Sequence, residues 1–464
     1  MKNEIILIIK QYLTNLFSKR IEFYEKGENM IERNLYLSKL IASKENGFPK
    51  IITGLRRCGK SYLLKEIYKD YLLKHGVSKT NIIIIELDDL KNAKYRNPIE
   101  LDKFIRKQCN FNKMNYVFID EIQLVTAIVN PAFTNGEIII AKENDKDVIS
   151  FVEVVLGLSR EKYIDLYATG SNSKMLSSDV ITEFRDKATN ISLYPISFEE
   201  FTEYRGNSSS DIVFEYMRYG GMPLAILKNG EEKKQYLKSL FETTYFKDIL
   251  EHNKLEKTEA LDSLCNILSE GTGQLFNAQK IADTYKSVTK DNIDKDTVKK
   301  YINYFIDAFV IKEAKRYDVK GNNEIGALRK YFFADNGLRN ARLNFAYDDE
   351  GQMLENMIYN ELIYNGYTVN VGAFEKYEKD KNGKSIRKTY EIDFVAQRGI
   401  KKYYIQVASD ISNADTKARE VKPFLALKDT IQKIIVINKP LDEALDLNGF
   451  TVIGVADFLL RFIK

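Results

Sequence analysis

The sequence predicts an α/β protein of three successive units: a parallel sheet flanked by helices, a helical unit that ends in a winged helix, and a smaller α/β unit with a mixed sheet. Three observations predict it. Between Lys50 and about Phe201, short apolar runs alternate with helical stretches, the rhythm of strands covered on both faces. The segment Gly54-Leu-Arg-Arg-Cys-Gly-Lys-Ser61 sits where the first run gives way to the first helix. After Tyr204 the strand signals stop, and helical periods dominate to about Asp307. At 464 residues the chain is also longer than one hydrophobic core usually organises.

Residues 1–47 carry apolar side chains at helical spacing (Ile5, Ile8, Ile9, Tyr12, Leu13, then Leu35, Leu37, Leu40, Ile41), which predicts two leading helices. The unit at 48–205 opens with the strand KIIT (50–53), a helix over 61–73 and the strand IIIIEL (82–87). It continues with YVFID (116–120), IDLYAT (164–169) and ISLYP (191–195). Asn130 to Asp147 interrupts this rhythm, and Ile138 to Ile140 is expected to add a hairpin strand there. In the unit at 206–345, Gly220, Gly221 and Pro223 mark the expected hinge. Helices over 276–286 and 294–309, followed by strands over 310–319 and 328–335, read as a helix-turn-helix with a two-stranded wing. The unit at 346–464 opens with a helix from Gln352 and continues through strands at 367–374, 389–397, 402–409 and 433–439.

Composition removes several classes of function. Hydrophobic residues make up 44% and charged residues 29%, enough apolar side chain for several cores and too little charge to keep the chain unfolded. Lys plus Arg number 70 against 66 Asp plus Glu, so any surface for nucleic acid must be a local patch. Cys58, Cys109, Cys265, His75 and His252 have neither zinc-ligand spacing nor the makings of a disulfide framework, and fit a reducing cytoplasm. The apolar opening run is cut by Lys10, and no apolar stretch reaches 18 residues, so neither export nor a membrane span is expected.

Gly54 to Ser61 matches G-x-x-x-x-G-K-S in the strand-to-helix setting that a phosphate loop requires. Its glycines let successive N–H groups face one anion at a helix N-terminus. Around Gly54, Cys58, Gly59, Lys60, Ser61 and Tyr62 the expected ligand is ATP, with Lys60 on the β- and γ-phosphates and Ser61 on Mg²⁺. Tyr116-Val-Phe-Ile-Asp120-Glu121 is an apolar strand ending in two carboxylates, with Asp120 suited to the Mg²⁺ shell and Glu121 to polarising a water. Thr169-Gly-Ser171-Asn172 ends the next strand, where Asn172 either senses the γ-phosphate or caps an ordinary turn. Arg185 is a candidate arginine finger, from within the subunit or from a neighbour in an oligomer, and equally a solvated surface residue. Arg56 and Arg57 receive no catalytic role.

The winged helix carries Lys295, Lys299, Lys300, Lys312, Lys315, Arg316, Lys320, Arg329 and Lys330, with Tyr301, Tyr304 and Tyr317 interspersed. DNA is one partner for such a patch; packing against the first unit or a protein client is the other, because several aspartates dilute it. In the last unit, Glu355, Glu391 with Asp393, and Gln406 with Ala408 mimic a metal nuclease core. That chemistry needs a second acid and a lysine where Gln406 and Ala408 stand, so the expectation is a relic scaffold that cleaves nothing, with an ATP-regulated nuclease as the alternative.

These residues resemble a known family. GLRRCGKSYLL, FIDEIQ, TGSNSKMLSSD, EFRDK, YPISFEEF, GGMP, FADNGLRNA, LENMIYNEL and EIDFV followed by YYIQVA are similar to segments of prokaryotic ATP-binding proteins. Those proteins join an AAA-type P-loop ATPase domain to a C-terminal domain of unknown function with a restriction-endonuclease-like fold. The resemblance spans about Leu35 to Lys464 in consistent order. It implies that Gly54 to Ser61 bind ATP, that Asp120 and Glu121 form the Walker B pair, and that Ser171 and Asn172 lie near the γ-phosphate. The family usually carries Arg-Gly-Arg where this chain has Arg185-Asp186-Lys187, leaving one arginine. The function implied is Mg²⁺-dependent ATP hydrolysis that moves the later units; the alternative is an ATP-bound DNA- or protein-binding module with little turnover.

Overall fold

The computed structural model describes residues 31–464 other than 143, 172–183, 185–186, 254, 256–258, 347–348, 380–383, 442–443 and 448. A short helix, Asn34–Ala42, leads into β1 (Lys50–Thr53), β2 (Ile82–Glu86) and β3 (Asn115–Asp120). After a small hairpin of β4 (Ile128–Val129) and β5 (Val148–Ile149) come β6 (Ile164–Gly170) and β7 (Thr189–Ser192). The main sheet has the order β2-β3-β6-β1-β7, with every pair parallel. Each residue of β1, β3 and β6 is buried, which explains why their sequences read as continuous apolar runs rather than alternating ones. The register sets Thr53 beside Gly170 and Glu86 beside Asp120, so the ends of β1, β2, β3 and β6 share one edge of the sheet.

Two expectations change in this part of the chain. Ile138 to Ile140 forms no strand of its own; Ile140 makes one isolated bridge to Ile128. The three isoleucines are 54%, 44% and 66% exposed, so no buried face holds them in a ladder. The turn at Gly220 and Gly221 is a packed joint rather than a hinge. The Gly221 N–H donates to Asp335 Oδ2 at 2.6 Å. A Cβ on Gly220, at φ 69°, would lie 2.2 Å from that carboxylate.

Helices fill the chain from Phe198 to Asp307, ending in Ala278–Thr289 and Lys295–Asp307. The short strand β8 (Leu275–Phe276), between two of these helices, joins the strands that follow in one nine-stranded sheet. Next come β9 (Ile311–Asp318) and β10 (Asn323–Phe333). The others are β11 (Thr368–Lys379), β12 (Ser385–Arg398), β13 (Lys401–Ala408), β14 (Gln432–Ile437), β15 (Leu445–Leu447) and β16 (Phe450–Gly454). The parallel pairing of β9 with β11, Arg316 beside Val371 and Asp318 beside Ala373, joins the β9–β10 hairpin to the strands after residue 367. The helix Glu350–Tyr364 covers the join, where Tyr359 stacks on Phe332 with ring centroids 4.1 Å apart. All three cysteines are buried and unpaired. Among the described residues, no helix is long and apolar enough to cross a membrane.

Candidate nucleotide-binding site

The phosphate loop starts where β1 ends. Gly54 turns the chain at φ 146°, and a Cβ there would sit 2.0 Å from the Leu193 carbonyl oxygen, so the closeness of the chain leaving β7 admits only glycine. A helix then runs from Lys60, becomes π-helical over Leu63–Tyr68 and ends at Lys74. Its free N–H groups and positive dipole end open onto the loop. The Lys60 ammonium donates to the Gly54 and Leu55 carbonyls, 3.0 Å from each, folded over its own loop. Cys58 belongs to the loop by backbone alone: its buried thiol faces the Leu193 carbonyl at 3.6 Å, and burial pushes its pKa up. Tyr62 follows Ser61 on the helix and is half-buried.

Asp120 is the meeting point of three elements. The Ser61 hydroxyl donates to Asp120 Oδ1 at 2.9 Å, and the Thr169 hydroxyl from β6 donates to the same oxygen. Lys65, one turn beyond Ser61, lies 3.4 Å from Asp120 Oδ2 and pairs with Glu86 at the end of β2. Glu121 takes a left-handed conformation at φ 55°, and its N–H donates to Thr169 Oγ1 at 3.1 Å. Its carboxylate accepts from the Ser171 hydroxyl at 2.8 Å and from the Gln123 amide.

Gly54, Gly59, Lys60, Ser61, Asp120, Glu121 and Ser171 thus converge at one sheet edge. Asn172 and Arg185 lie outside the described residues. Sequence reasoning missed Lys65 and Glu86, which carry no motif signal, Gln123, which ends the segment FIDEIQ without having been given a role, and Arg33. The Arg33 guanidinium, 3% exposed, donates to the Tyr194 carbonyl at 2.7 Å and to the Cys58 carbonyl at 3.4 Å, and pairs with Glu200 at 3.0 Å. Arg56 points away from the loop to Asp248 at 2.5 Å, while the Tyr245 hydroxyl donates to the Arg56 carbonyl at 2.7 Å.

Residues 46–202 match a family model described as an AAA domain, and residues 210–349 match a domain of unknown function, DUF8612. An uncharacterized protein of Haemophilus influenzae is 30% identical over 438 residues, which cover 93% of this chain and 99% of that relative. The chain belongs to that family, a family of AAA-type P-loop proteins. An uncharacterized protein of Methanocaldococcus jannaschii is 26% identical over 477 residues, covering 96% of this chain and 94% of its own length. Among solved structures, the ORC1 protein of Aeropyrum pernix in complex with DNA aligns with a TM-score of 0.29 and 11% identity, over 68% of this chain and 93% of that one.

Beyond the AAA domain, the basic patch expected on the wing is only partly a surface. Lys330 is 3% exposed. It donates to Glu355 Oε1 at 2.9 Å, and its ammonium lies 2.9 Å from Glu391 and 3.6 Å from Asp393. Burial alone would lower its pKa, but the three carboxylates raise it above the ordinary lysine value. Lys312 is also withdrawn: its Nζ is buried without a hydrogen-bond partner among the described residues, 4.1 Å over the Tyr194 ring, and burial pulls its pKa down to about 7. Lys299 pairs with Asp296, Lys315 with Glu324 and Arg329 with Glu313.

The cation beside Glu355, Glu391 and Asp393 comes from β10, far from position 408 in the sequence. Gln406 is not a free site group either: its amide donates to Glu420 at 2.9 Å, and its carbonyl accepts from the Asp393 N–H at 2.9 Å. Glu420, on the helix Ala414–Ala426, was not singled out from the sequence.

Proposed function

We propose that the AAA domain binds ATP with Mg²⁺ and hydrolyses it. The observation that carries this reading is the hydrogen-bonded chain Ser61–Asp120–Thr169–Glu121 beside Lys60, at the ends of β1, β3 and β6. The N–H groups from Gly54 to Ser61 hold the phosphates, and Lys60 leaves two neutral carbonyls for the β- and γ-phosphates, a stronger charge-assisted contact. The Ser61 and Asp120 oxygens, 2.9 Å apart, are the hard donors that Mg²⁺ takes, so this pair would hold it. When bound, the ion neutralises charge on the transferred phosphoryl group. Glu121 orients the attacking water once Ser171 and Gln123 release it. Asn172 and Arg185 are proposed to complete the site at the γ-phosphate.

Turnover is proposed to move the later units through the two contacts at Arg56, which tie the loop to the helical segment holding Tyr245 and Asp248. In this reading the helices at 278–289 and 295–307 with β9 and β10 form a winged helix, and the unit after residue 345 has a restriction-endonuclease-like fold that cleaves nothing. Lys330 supports the latter point by standing among the carboxylates that a catalytic cation would need.

One observation favours a second reading, in which ATP is held with little turnover: the Glu121 carboxylate is engaged by two donors. Steady-state phosphate release separates the two. Glu121→Gln is expected to lower the rate by roughly 10²–10⁴-fold, the usual worth of a positioned general base. Equal, near-zero rates in wild type and variant would overturn the hydrolase reading.

A further inference from the structure

The structure holds a polar cavity, far in sequence from the phosphate loop, where β9, β10 and β11 part. The ladder of β9 with β11 ends at Asp318 and Ala373, and the β9–β10 hairpin loses register between Glu324 and Arg329. Where these strands part, a cavity of about 410 Å³ is lined by Arg316, Asp318, Lys320, Phe374, Glu375 and Arg387. Arg316 and Asp318 share one face of β9 by period-two spacing, and Lys320 follows in the turn.

The charges in this cavity do not cancel. Arg387 pairs with the Glu375 carboxylate, which neutralises both. The Lys320 ammonium donates to the Glu375 backbone carbonyl at 2.7 Å and meets no carboxylate among the described residues. Arg316 has no ion-pair or hydrogen-bond partner among the described residues, and its Nε is buried. A buried donor without a partner is costly, and most such donors in native proteins find one. Asp318 is the only lining carboxylate left to offset two cations.

We propose that this cavity binds a phosphate monoester of nucleotide size. A planar guanidinium matches two phosphate oxygens at once, and Lys320 adds a point charge for the second negative charge of the dianion. The volume exceeds what a bare phosphate fills and falls within the range of small-molecule sites. A free nucleotide and the 5′-phosphate end of a nucleic acid strand present this same group. The proposal is independent of hydrolysis in the AAA domain.

The test is calorimetric titration of the full chain with AMP, adenosine, inorganic phosphate, and a dinucleotide with and without its 5′-phosphate. Wild type is expected to bind AMP or the 5′-phosphorylated dinucleotide with a Kd below about 1 mM. Adenosine and the unphosphorylated dinucleotide are expected to bind at least roughly tenfold more weakly, as is the phosphorylated ligand to Arg316→Gln. AMP alone identifies a free nucleotide, and the phosphorylated dinucleotide alone a strand end. ATP binding at Lys60, measured in the same Arg316→Gln sample, is expected to stay unchanged, which shows that the variant is folded. No binding by any phosphorylated probe, equal binding without the phosphate, inorganic phosphate binding as tightly as AMP, or an Arg316→Gln variant as tight as wild type would each overturn the proposal.

Discussion

At the end of β3, Asp120 meets two hydroxyls and a lysine at 3.4 Å; on β12, Glu391 and Asp393 meet a lysine buried among them. Both clusters set carboxylates against a cation, and the difference lies in what a ligand could displace. Lys65 approaches Asp120 from the side, and Lys60 rests on two carbonyl oxygens that lose little when it leaves. Lys330 is enclosed by three carboxylates, with Glu355 and Glu391 each 2.9 Å away. One cluster is held by two hydroxyl donors with Lys65 to one side, and the proposed function would add an external cation to it. The other carries its own cation, brought by β10 from an earlier part of the chain, and the same ion pairs tie β10 to β12 and to the helix Glu350–Tyr364.

The largest expected effect comes from removing that internal cation. Lys330→Met leaves three carboxylates without their counter-charge and is expected to destabilise the protein by about 3–5 kcal/mol, as when one partner of a buried pair is lost. Adding Glu355→Gln to it is expected to restore part of the loss. Equal denaturation midpoints for wild type and Lys330→Met would show that the carboxylates at Glu355, Glu391 and Asp393 do not depend on this cation.

Lys60→Ala probes the other cluster and is expected to leave unliganded stability nearly unchanged. What it should remove is the ligand-dependent gain of about 2.7 kcal/mol that wild type shows at roughly 100 times the Kd of ATP. A variant that keeps the full ATP-dependent rise in Tm would show that the loop does not use this lysine.

A smaller effect sharpens the comparison through pH. Burial pushes the Glu355 carboxyl above the usual carboxylate range, against the pull of Lys330. Its folded pKa thus lies above the unfolded value of about 4.3, so the folded state binds the extra proton and stability falls as pH rises between these two values. The slope from one such group is at most about 1.4 kcal/mol per pH unit. Denaturant midpoints measured across this range should decline less steeply in Glu355→Gln; an unchanged slope would remove Glu355 as the source.

How much of this was legible follows from how local each feature is. The first sheet could be read because its inner strands β1, β3 and β6 are buried on both faces and announce themselves within four to seven residues. The loop from Gly54 to Ser61 was legible for the same reason: its chemistry lies in eight consecutive residues. Glu420 could not be found, since its meeting with Gln406 depends on a helix packing across β13. The basic patch was misread at two positions, for a third reason. Lys312 and Lys330 look like their solvated neighbours in the sequence, and only the burial of their ammonium groups separates them.

The sequence by itself determined the order of elements, the phosphate loop and the carboxylate pair at the end of β3, because backbone periodicity and short motifs depend on residues near one another in the chain. Tertiary structure alone decided that β8–β10 and β11–β16 share one sheet, that Gly221 is clamped by Asp335, and that Lys330 meets Glu355 across 25 residues of chain. The physical reason is the same in each case. A strand pair, a clamp or a buried ion pair is stabilised by groups that the folded chain brings together, and their separation along the sequence carries no record of that meeting.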